Sequence, residues 1–291
     1  SDSNKRYHTL DYFYKHKFNS KVFKVSLDAN FTCPNIDGTV GNGGCIYCSN
    51  GSGDFAGNKN KSLTEQFNDI KNIMLKKWPN SKYIGYFQAH TNTYAPLNIL
   101  KEKYEEILNL ENVVGLNIAT RPDSISDECF DYLESLSKRT YLTIELGLQT
   151  IHEETSNFIN RCHSLDCFIK CVNELRKRNI NVVVHIINGL PYETKEMMIK
   201  TVKFLNNLDI QGIKIHMLHI IKDTGMANLY LKENFHVLTK DEYIDIVIKQ
   251  LELLNDNIVI ERITGDPIKE DLITPDWLLK KFCVLNDIDK E

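Results

Sequence analysis

The chain has 291 residues, of which 42% are hydrophobic and 25% charged, with a formal net charge of −4 and eight cysteines. This composition is typical of a globular protein with a sizeable core, and the acidic balance argues against a protein whose main role is to coat nucleic acid. No apolar run reaches the length needed to cross a bilayer, and the first residues lack the apolar stretch of a secretory signal. We therefore expect a cytoplasmic protein without a membrane anchor, whose cysteines stay reduced and either bind metal or lie buried.

Short β-type runs alternate with longer helical patterns along the chain. The predicted strands cover residues 22–28, 83–88, 113–119, 142–149, 181–188, 212–219 and 258–264. The predicted helices cover residues 63–78, 99–108, 126–137, 166–177, 195–208 and 240–254. Ser62 and Glu65 form a plausible capping box at the start of the first of these helices. The alternation predicts an α/β fold with a parallel sheet and helices outside it, and no linker divides the chain.

The two faces of the predicted strands differ in polarity. In the strand at 142–149, leucine and isoleucine alternate with polar or small residues, including Glu145 and Gln149, and Lys24 lies on the polar face of the first strand. A sheet covered by helices on both faces would be apolar on both. A barrel or partial barrel with a polar lumen fits this pattern, and its reactive residues would lie at the carboxyl ends of the strands. An open sheet with one poorly covered face is the alternative.

Three cysteines lie close together in the sequence after the first predicted strand. Cys45 and Cys48 are separated by two residues, and Cys33 precedes them across a loop that contains four glycines, which can wrap tightly around a bulky inorganic core. Iron–sulfur clusters are usually held by four thiolates, so three would leave one iron with an open coordination site. Zinc would need a fourth ligand, and neither His16 nor His90 has a standard spacing to the loop. The spacing alone leaves both a cluster and a zinc site open.

The other cysteines have no such pattern. Cys129 and Cys283 are isolated, and Cys167 and Cys171 are one helical turn apart. Buried free thiols are common, so this is the favoured interpretation. A second cluster built from Cys162, Cys167 and Cys171 is the alternative.

The two halves of the cysteine loop, CPNIDG at 33–38 and GGCIYC at 43–48, resemble the cluster loop of radical S-adenosylmethionine (SAM) enzymes. More narrowly, the loop resembles that of a family related to the radical SAM core of the Elongator catalytic subunit and to oxygen-independent coproporphyrinogen dehydrogenase. The resemblance covers nearly the whole chain. Further matching segments are 86–96, 120–123, 145–150, 160–163, 189–191, 213–219 and 262–266.

The resemblance implies a partial (β/α)6 TIM-like barrel over residues 22–235, preceded by an N-terminal extension at 1–21 and followed by a C-terminal extension at 236–291 that packs on the barrel. It implies that Cys33, Cys45 and Cys48 bind a [4Fe-4S] cluster whose free iron is chelated by the amino and carboxylate groups of SAM. One-electron reduction, from a donor such as flavodoxin or ferredoxin, would then cleave SAM to methionine and a 5′-deoxyadenosyl radical that abstracts a substrate hydrogen. The protein would orient the cofactors and exclude water and oxygen.

The resemblance also assigns contacts with SAM. Tyr47 matches the aromatic residue that packs near the adenine. Gln88, Ala89 and His90 follow the second predicted strand, where the backbone of the family meets the methionine amino group.

Further cofactor contacts are assigned to later strands. Gln149 matches a ribose contact and Arg161 a carboxylate-binding arginine, whose guanidinium fork suits that group. His185 falls where a relative holds the ribose with an acid. We place Glu145 with these contacts, and its position on the lumen face predicts a cationic or hydroxyl partner.

Substrate contacts are predicted at the later strands. Lys214 and His216 share the lumen face of one strand, and Arg262 and Asp266 lie in the last matching segment. We interpret these four residues as candidate catalytic or substrate-contacting groups. A histidine in such a lumen can also be a hydrogen-bonded core residue.

The substrate is predicted mainly by analogy with the Elongator-type core. The favoured hypothesis is modification of a tRNA nucleoside, the side chain of a wobble uridine, with phosphate contacts from the basic groups 76–78, 101 with 103, and 176–178. The second hypothesis is radical oxidation or decarboxylation of a small cytosolic metabolite, in a pocket that includes Arg262 and Asp266. A third, of another class, is a zinc-stabilised binding module without catalysis.

Overall fold

The computed structural model describes residues 5–49 and 56–291. Its strands are β1 (Val22–Leu27), β2 (Lys82–Phe87), β3 (Val113–Thr120), β4 (Tyr141–Gln149), β5 (Asn181–Asn188), β6 (Gly212–Met217), β7 (Ile220–Ile221), β8 (Val259–Arg262) and β9 (Leu272–Thr274). Its helices are α1 (Leu10–Phe18), α2 (Leu63–Lys77), α3 (Leu97–Leu108), α4 (Asp127–Ser137), α5 (Glu153–Phe158), α6 (Leu165–Lys177), α7 (Lys195–Leu205), α8 (Gly225–Glu233), α9 (Lys240–Leu253) and α10 (Lys281–Lys290). A short 3-10 helix, Asp276–Lys280, precedes α10.

Seven strands form one parallel sheet that curls into a half-barrel. They follow one another in the order β1-β2-β3-β4-β5-β6-β8, and each runs parallel to its neighbour. These are the seven strands expected from the sequence, so the predicted α/β partial barrel is confirmed. The small antiparallel pair of β7 with β9 lies apart from this sheet and was not predicted.

The outer face of the sheet packs against the helices in one apolar core. On β4, four side chains spaced two residues apart are buried there: Leu142, Ile144, Leu146 and Leu148. They share this core with residues of the flanking helices, among them Leu133 and Phe168. Fully burying each such side chain stabilises the fold by about 1.5–3 kcal/mol. The predicted alternation of an apolar outer face with a polar inner face therefore determines which side of the sheet faces the helices.

The start of α2 fixes the chain where it leaves the cysteine loop. The backbone N–H of Glu65 donates to Ser62 Oγ at 3.1 Å, and the N–H of Ser62 donates to Glu65 Oε2 at 2.8 Å. This reciprocal pair is the predicted capping box, and it satisfies two backbone donors that the helix itself cannot pair.

The gap between the edge strands β1 and β8 is closed by the segment that precedes the barrel. Helix α1 packs against both β1 and β8, and its Tyr14 is buried. The N–H of Ile260 donates to the carbonyl oxygen of His8 at 2.8 Å. Lys24 Nζ on β1 lies 2.6 Å from Glu261 Oε2 on β8. The predicted N-terminal extension, whose residues 1–4 lie outside the described part of the chain, therefore supplies one wall of the lumen.

The segment predicted as a C-terminal extension contributes a strand to the main sheet. Gly212 of β6 pairs with Val259 of β8, and the α9 helix that precedes β8 packs on α7 and α10. The boundary at residues 235 and 236 stays a prediction. None of the helices in the described ranges has both the length and the apolar character that a bilayer crossing requires.

Candidate active site

The cysteine loop follows β1 directly and lies at the carboxyl end of the sheet. The N–H groups of Ile36 and Asp37 both point to the carbonyl oxygen of Cys33, at 2.9 and 3.1 Å, and the N–H of Cys48 donates to the carbonyl oxygen of Cys45 at 3.0 Å. These bonds form two tight turns, each of which begins at a cysteine. Left-handed backbone occurs between them at Gly38, Gly43 and Gly44. Only glycine adopts that conformation without strain, so the glycines permit the loop to curl back on itself.

The thiols of Cys45 and Cys48 are within hydrogen-bonding reach of each other. A hydrogen bond from Cys48 lowers the pKa of Cys45 to about 6, with smaller contributions from the Tyr47 hydroxyl, the positive charge of Arg121 and the Asn35 amide. The same hydrogen bond and burial raise the pKa of Cys48. The charge of Cys33 also raises the pKa of Cys48, which places all three cysteines in one electrostatic environment. Since the thiolate is the form that binds metal, this environment favours a metal ligand at Cys45.

The donor set fits a [4Fe-4S] cluster. Within residues 5–49 and 56–291, no three His, Cys, Asp or Glu side chains converge on a point where they could ligate one metal ion. The protein thiolates of a cluster bind different irons and so need not converge on one point. Three soft sulfur donors on a glycine-rich loop, with Arg121 close by to balance their negative charge, suit such a centre.

The loop is anchored by the segment that follows β4 and α5. Asn160 Nδ2 donates to the carbonyl oxygen of Gly44 at 2.7 Å, and the N–H of Ile46 donates to the carbonyl oxygen of Ile159 at 3.1 Å. Asn35 Nδ2 donates to the carbonyl oxygen of Asn160 at 2.7 Å. The position of the cysteine loop therefore depends on a segment more than one hundred residues away in sequence.

Cys162 lies beside this loop, whereas Cys167 and Cys171 belong to α6. The thiol of Cys162 donates to Asn160 Oδ1 at 3.1 Å, and its sulfur would lie 2.9 Å from a Cβ placed on Gly41. Burial raises the pKa of Cys162, Cys167 and Cys171. Cys171 is buried, whereas Cys162 and Cys167 are half-buried, and the favoured interpretation of these residues as unligated thiols stays a prediction.

The predicted SAM residues of β2 and β4 lie at the same end of the sheet as the cysteine loop. Gln88 and Ala89 follow β2 directly. Two residues later, the N–H of Thr91 donates to the carbonyl oxygen of Thr32, the residue before Cys33, at 3.2 Å. Left-handed backbone outside glycine occurs at His90 after β2 and at Gln149, the last residue of β4. Strained backbone of this kind is often found at functional sites. The structure thus gathers these predicted residues around the carboxyl ends of the strands.

Arg161 is nearly fully buried, at 1% exposed. Its guanidinium donates to three backbone carbonyl groups, those of Leu148 at 2.7 Å, Thr150 at 2.6 Å and His163 at 2.8 and 3.1 Å. The side chain therefore fixes the turn that follows β4. Its assignment to the SAM carboxylate stays a prediction, and such a contact would compete with these carbonyl groups.

Arg121 is the neighbouring cation at the cysteine loop. It forms a two-point pair with Asp123, at 2.9 and 2.8 Å, and its Nη1 donates to the carbonyl oxygen of Arg161 at 2.9 Å. The pair fixes the guanidinium close to the cysteines, where it lowers the pKa of Cys45. The family resemblance includes residues 120–123, but it does not predict this role of Arg121.

Glu145 is the centre of a buried ionic network in the lumen. Its side chain is fully buried, and its two oxygens contact five side chains: Lys214 at 2.6 Å, Lys24 at 3.5 Å, Tyr86 at 2.7 Å, Asn117 at 2.8 Å and His185 at 2.7 Å. The expected cationic and hydroxyl partners of this carboxylate are therefore present. Buried charges that are paired and hydrogen-bonded in this way avoid most of the penalty of burial.

The two lysines of the network have opposite pKa shifts. Burial lowers the pKa of Lys24, but Glu261 and Glu145 outweigh it and the net shift is upward. Burial also lowers the pKa of Lys214, and the charge of Lys24 adds to this effect, so that its pKa falls to about 8 despite Glu145. Burial alone would raise the pKa of Glu145, yet the two lysines hold it well below its usual range. Of the two lysines, Lys214 is therefore the one that more easily releases a proton.

The four predicted substrate residues fall into two groups. His216 lies in the lumen beside His185, with 5.2 Å between the ring centroids, on the same strand as Lys214. Burial holds the pKa of His216 well below its usual range, so the imidazole is neutral near pH 7. Arg262 and Asp266 lie at the end of β8, about one-third exposed and 3.7 Å apart, and Lys281 of α10 contacts Asp266 at 2.6 Å. Arg262 is still close enough to lower the pKa of His216.

Sequence reasoning missed several members of the lumen network. Tyr86 and Asn117 lie on the inner face of β2 and β3, and strand alternation applied to those two strands would have identified them. Glu261 is different, because it meets Lys24 across the gap between the edge strands. Without knowledge of how the sheet closes, no local pattern pairs these two residues.

Two of the three basic groups considered for phosphate contact lie far from the cysteine loop. Residues 76–78 end α2 and residues 176–178 end or follow α6, and helices that return antiparallel to the strands end at the amino-terminal face of the barrel. Arg176 also pairs with Asp209 at 2.9 Å, and Arg178 with Glu174 at 2.7 Å. These two groups therefore do not form part of the site.

The chain is similar to several known proteins. Residues 36–205 match the Radical SAM superfamily, and residues 210–291 match the Radical_SAM C-terminal domain. The chain is 52% identical to the Bacillus subtilis protein YtqA over 292 residues, which is 100% of this chain and 91% of YtqA. It is 33% identical to a Methanocaldococcus jannaschii protein over 282 residues, which is 96% of this chain and 86% of that protein.

More distant similarities concern parts of larger proteins. The tRNA uridine(34) acetyltransferase of Methanocaldococcus jannaschii is 28% identical over 137 residues, which is 46% of this chain and 25% of that protein. Among solved structures, Elp3 of Methanocaldococcus infernus superposes with a TM-score of 0.69 at 19% identity, over 93% of this chain and 63% of that chain. Coproporphyrinogen III oxidase (HemN) of Escherichia coli superposes with a TM-score of 0.52 at 16% identity, over 80% of this chain and 52% of that chain. These two structural likenesses concern the fold.

Proposed function

The chain belongs to the radical SAM superfamily, and on that premise we propose that Cys33, Cys45 and Cys48 hold its [4Fe-4S] cluster beside a SAM site formed at the carboxyl ends of β2, β4 and β5. The observation that carries this proposal is the convergence of the cysteine loop with the residues predicted to contact SAM at one end of a half-barrel whose lumen is polar. When bound, the cluster and SAM supply a one-electron reductive cleavage that yields methionine and a 5′-deoxyadenosyl radical able to abstract a substrate hydrogen.

The residues of the chain have separate tasks in this proposal. Tyr47 packs beside the apolar cluster of Ile159 and Met226, next to the cysteine loop, where it can support the adenine. The backbone at Gln88, Ala89 and His90 would meet the methionine amino group, and Gln149 and His185 the ribose. This division follows the family resemblance, and the common location of these residues supports it.

The lumen network is suited to hold a polar substrate beneath the cofactor site. Glu145 is fully committed to its five contacts, so it orients Lys214 and His185 rather than reacting itself. Lys214 is charged below pH 8 and can donate a proton or a hydrogen bond. Burial holds the pKa of His216 well below its usual range, so the ring is neutral near pH 7 and can accept a hydrogen bond from the substrate.

For the substrate, we propose a tRNA nucleoside, with the radical directed at the side chain of a wobble uridine. The similarity to proteins named as tRNA uridine(34) acetyltransferase supports this choice. A wobble nucleoside is unpaired in free tRNA and can be turned into a pocket, as single-stranded bases commonly are. The nucleotide would enter from the carboxyl ends of the strands, since the basic groups at 76–78 and 176–178 lie at the other end of the barrel.

A small cytosolic metabolite is the second candidate substrate. The pairing of the Arg176 and Arg178 side chains with carboxylates favours it, because these cations then offer little attraction to a phosphate backbone. Steep loss of tRNA affinity with added salt would support the tRNA substrate. Absence of such binding, together with an unaltered nucleoside profile in tRNA from a deletion strain, would favour the metabolite.

The experiment that tests the chemistry is anaerobic cluster reconstitution followed by dithionite and SAM. We expect brown protein and formation of 5′-deoxyadenosine. Alanine at Cys33, Cys45 or Cys48 is expected to abolish both. A colourless protein that contains zinc and no acid-labile sulfide would contradict the proposal and support the binding module.

A further inference from the structure

The side chain of Asn35 lies between the cysteine loop and the segment that anchors it. It is fully buried, at 0% exposed. Its Nδ2 donates to the carbonyl oxygen of Asn160 at 2.7 Å and lies 3.6 Å from the sulfur of Cys45, within reach of an N–H···S hydrogen bond. The two protons of one amide group are thus directed at a backbone carbonyl and at a proposed cluster ligand.

The surrounding backbone holds this amide in place. The N–H of Gly44 donates to the carbonyl oxygen of Asn35 at 2.8 Å. A Cβ on Gly41 would lie 2.2 Å from Asn35 Oδ1, so the loop packs directly against the amide oxygen and leaves it no room to turn. The direction of the N–H groups is therefore set by the fold.

The amide oxygen of Asn35 is a cost to stability. Its Oδ1 is buried and has no hydrogen-bond partner within the described residues. Burying an unpaired acceptor costs free energy, which an apolar side chain of the same size would avoid. What asparagine provides here, and leucine would not, is a pair of N–H donors, one to the carbonyl oxygen of Asn160 and one to the sulfur of Cys45.

Resting on the proposed role of Cys45 as a cluster ligand, we propose that Asn35 is a positioning residue whose amide raises the reduction potential of the cluster. Reduction adds one electron, from dithionite or the physiological donor, to the cluster and its sulfur ligands. An N–H donor stabilises the more negative, reduced form more than the oxidised form, and it does so more strongly in a buried site. No bond to Asn35 forms or breaks in this step.

The Tyr47 hydroxyl and Arg121 also stabilise negative charge at Cys45. Asn35 also binds the carbonyl oxygen of Asn160, the residue before Arg161, and Arg121 binds the carbonyl oxygen of Arg161 itself. The amide therefore couples the electrostatics of the sulfur to the segment that carries a predicted SAM contact. Outer hydrogen bonds of this kind commonly orient ligands and tune metal centres.

The test is a measurement of the midpoint potential of the reconstituted cluster. A redox titration without SAM gives this potential, with electron paramagnetic resonance used to monitor the reduced cluster. Asn35→Leu removes the donor at nearly constant volume, and Asn35→Asp removes it and adds a negative charge. We expect both variants to have more negative midpoints than the wild type. At the wild-type midpoint, the reduced-to-oxidised ratio is expected to fall at least tenfold in Asn35→Asp, which is about 59 mV for a one-electron couple.

The matched control is Asn160→Gly. It removes the side-chain bonds from Asn160 to the cysteine loop, leaves the Asn35 amide in place, and suits the left-handed backbone at that position. We expect its midpoint to stay close to that of the wild type. The midpoint potential is measured on the cluster that each variant retains. If Asn35→Asp retains no cluster, the midpoint of Asn35→Leu tests the inference.

Two results would overturn the inference: an unchanged midpoint in Asn35→Leu, or an equal shift in Asn160→Gly. Both leave the proposed function standing, because the wild-type protein would still hold its cluster. A wild-type protein that forms no [4Fe-4S] cluster would instead remove the proposed function itself.

Discussion

Replacement of Glu145 by glutamine tests whether the ionic network in the lumen behaves as a unit. Glutamine has nearly the same volume but no charge, so Lys24 and Lys214 would share Glu261 as their remaining carboxylate within the network. Asn117 Nδ2, which donates to Glu145 Oε2 at 2.8 Å, would face an amide group instead of a carboxylate. The variant therefore leaves buried cations without adequate counter-charge.

The expected loss can be bounded from the structure. Removing one partner of a buried pair typically destabilises a protein by about 3–5 kcal/mol. Lys214 limits the loss, because its pKa of about 8 is partly upheld by Glu145 and falls further in the variant, so that its deprotonation at pH 7 costs less than about 1.4 kcal/mol. We therefore expect the free energy of unfolding to fall by about 3 kcal/mol at pH 7.

The same pKa sets the pH dependence of this loss. The pKa of Lys214 is lowered from 10.5 to about 8, so the unfolded chain binds a proton between these values that the folded chain does not. The contribution of Lys214 to stability therefore rises as the pH increases from about 8 to 10.5, and it is constant at its lowest value below about pH 8. Because Lys214 is already neutral at pH 9, the penalty of Glu145→Gln is expected to be smaller there than at pH 7.

The assay is denaturant unfolding of the wild type and the variant at both pH values. Asp245→Asn is the control, because it breaks the exposed pair with Lys195, whose side chains are 44% and 64% exposed, and is expected to have little effect. A loss in Glu145→Gln no larger than that of the control, or a loss that grows from pH 7 to pH 9, would refute the reasoning.

Three further predictions concern the cysteine loop and the surface. Gly41→Ala would place its Cβ 2.2 Å from Asn35 Oδ1 and 2.9 Å from Cys162 Sγ, so we expect clearly lower iron content after reconstitution than in the wild type. Equal iron content would contradict the packing of the loop. Alanine at Cys167 or Cys171 is expected to leave iron content and 5′-deoxyadenosine formation nearly unchanged, and loss of either on changing Cys167 would revive the second cluster. Alanine at both Lys76 and Lys77 is expected to leave any tRNA affinity and its salt dependence unchanged, because these residues lie at the end of the barrel away from the cysteine loop. A weaker salt dependence of the double variant in a filter-binding assay would show that tRNA contacts that end of the barrel.

Much of the sheet could be predicted because its signals are local. The alternation in β4 identified both the three leucines and one isoleucine of the outer face and the inward direction of Glu145. The capping box at Ser62 and Glu65 fixed the start of α2. The same alternation placed Lys24 on the inner face of β1. Each of these predictions uses residues only a few positions apart.

The missed features depend on contacts between distant parts of the chain. Helix α1 was not predicted, and its role is to close the gap between β1 and β8, which exists only once the sheet has curled. Glu261 meets Lys24 from 237 residues away, and Tyr86 meets Lys214 from 128 residues away. Such partners are chosen by strand order and curvature, which no short pattern in the sequence contains.

In the candidate site, too, some features could be predicted from the sequence and others depend on contacts between distant residues. The cysteine spacing and the family resemblance nominated Cys33, Cys45 and Cys48, and their roles stay predictions. The anchoring of the loop by Asn160, and the Asn35 amide beside Cys45, became visible only in the folded chain. The commitment of Arg161 to three carbonyl groups was likewise hidden from the sequence, where an arginine is simply a cation.

The most direct measurement of the central claim is the iron and acid-labile sulfide content of the anaerobically reconstituted protein, together with its electron paramagnetic resonance spectrum before and after SAM is added. We predict a full [4Fe-4S] complement in the wild type, a spectrum that changes on addition of SAM, and loss of both in alanine variants at Cys33, Cys45 and Cys48. A spectrum that SAM leaves unchanged, or a cluster that survives removal of any one of these cysteines, would contradict the claim that three thiolates leave one iron open to the cofactor.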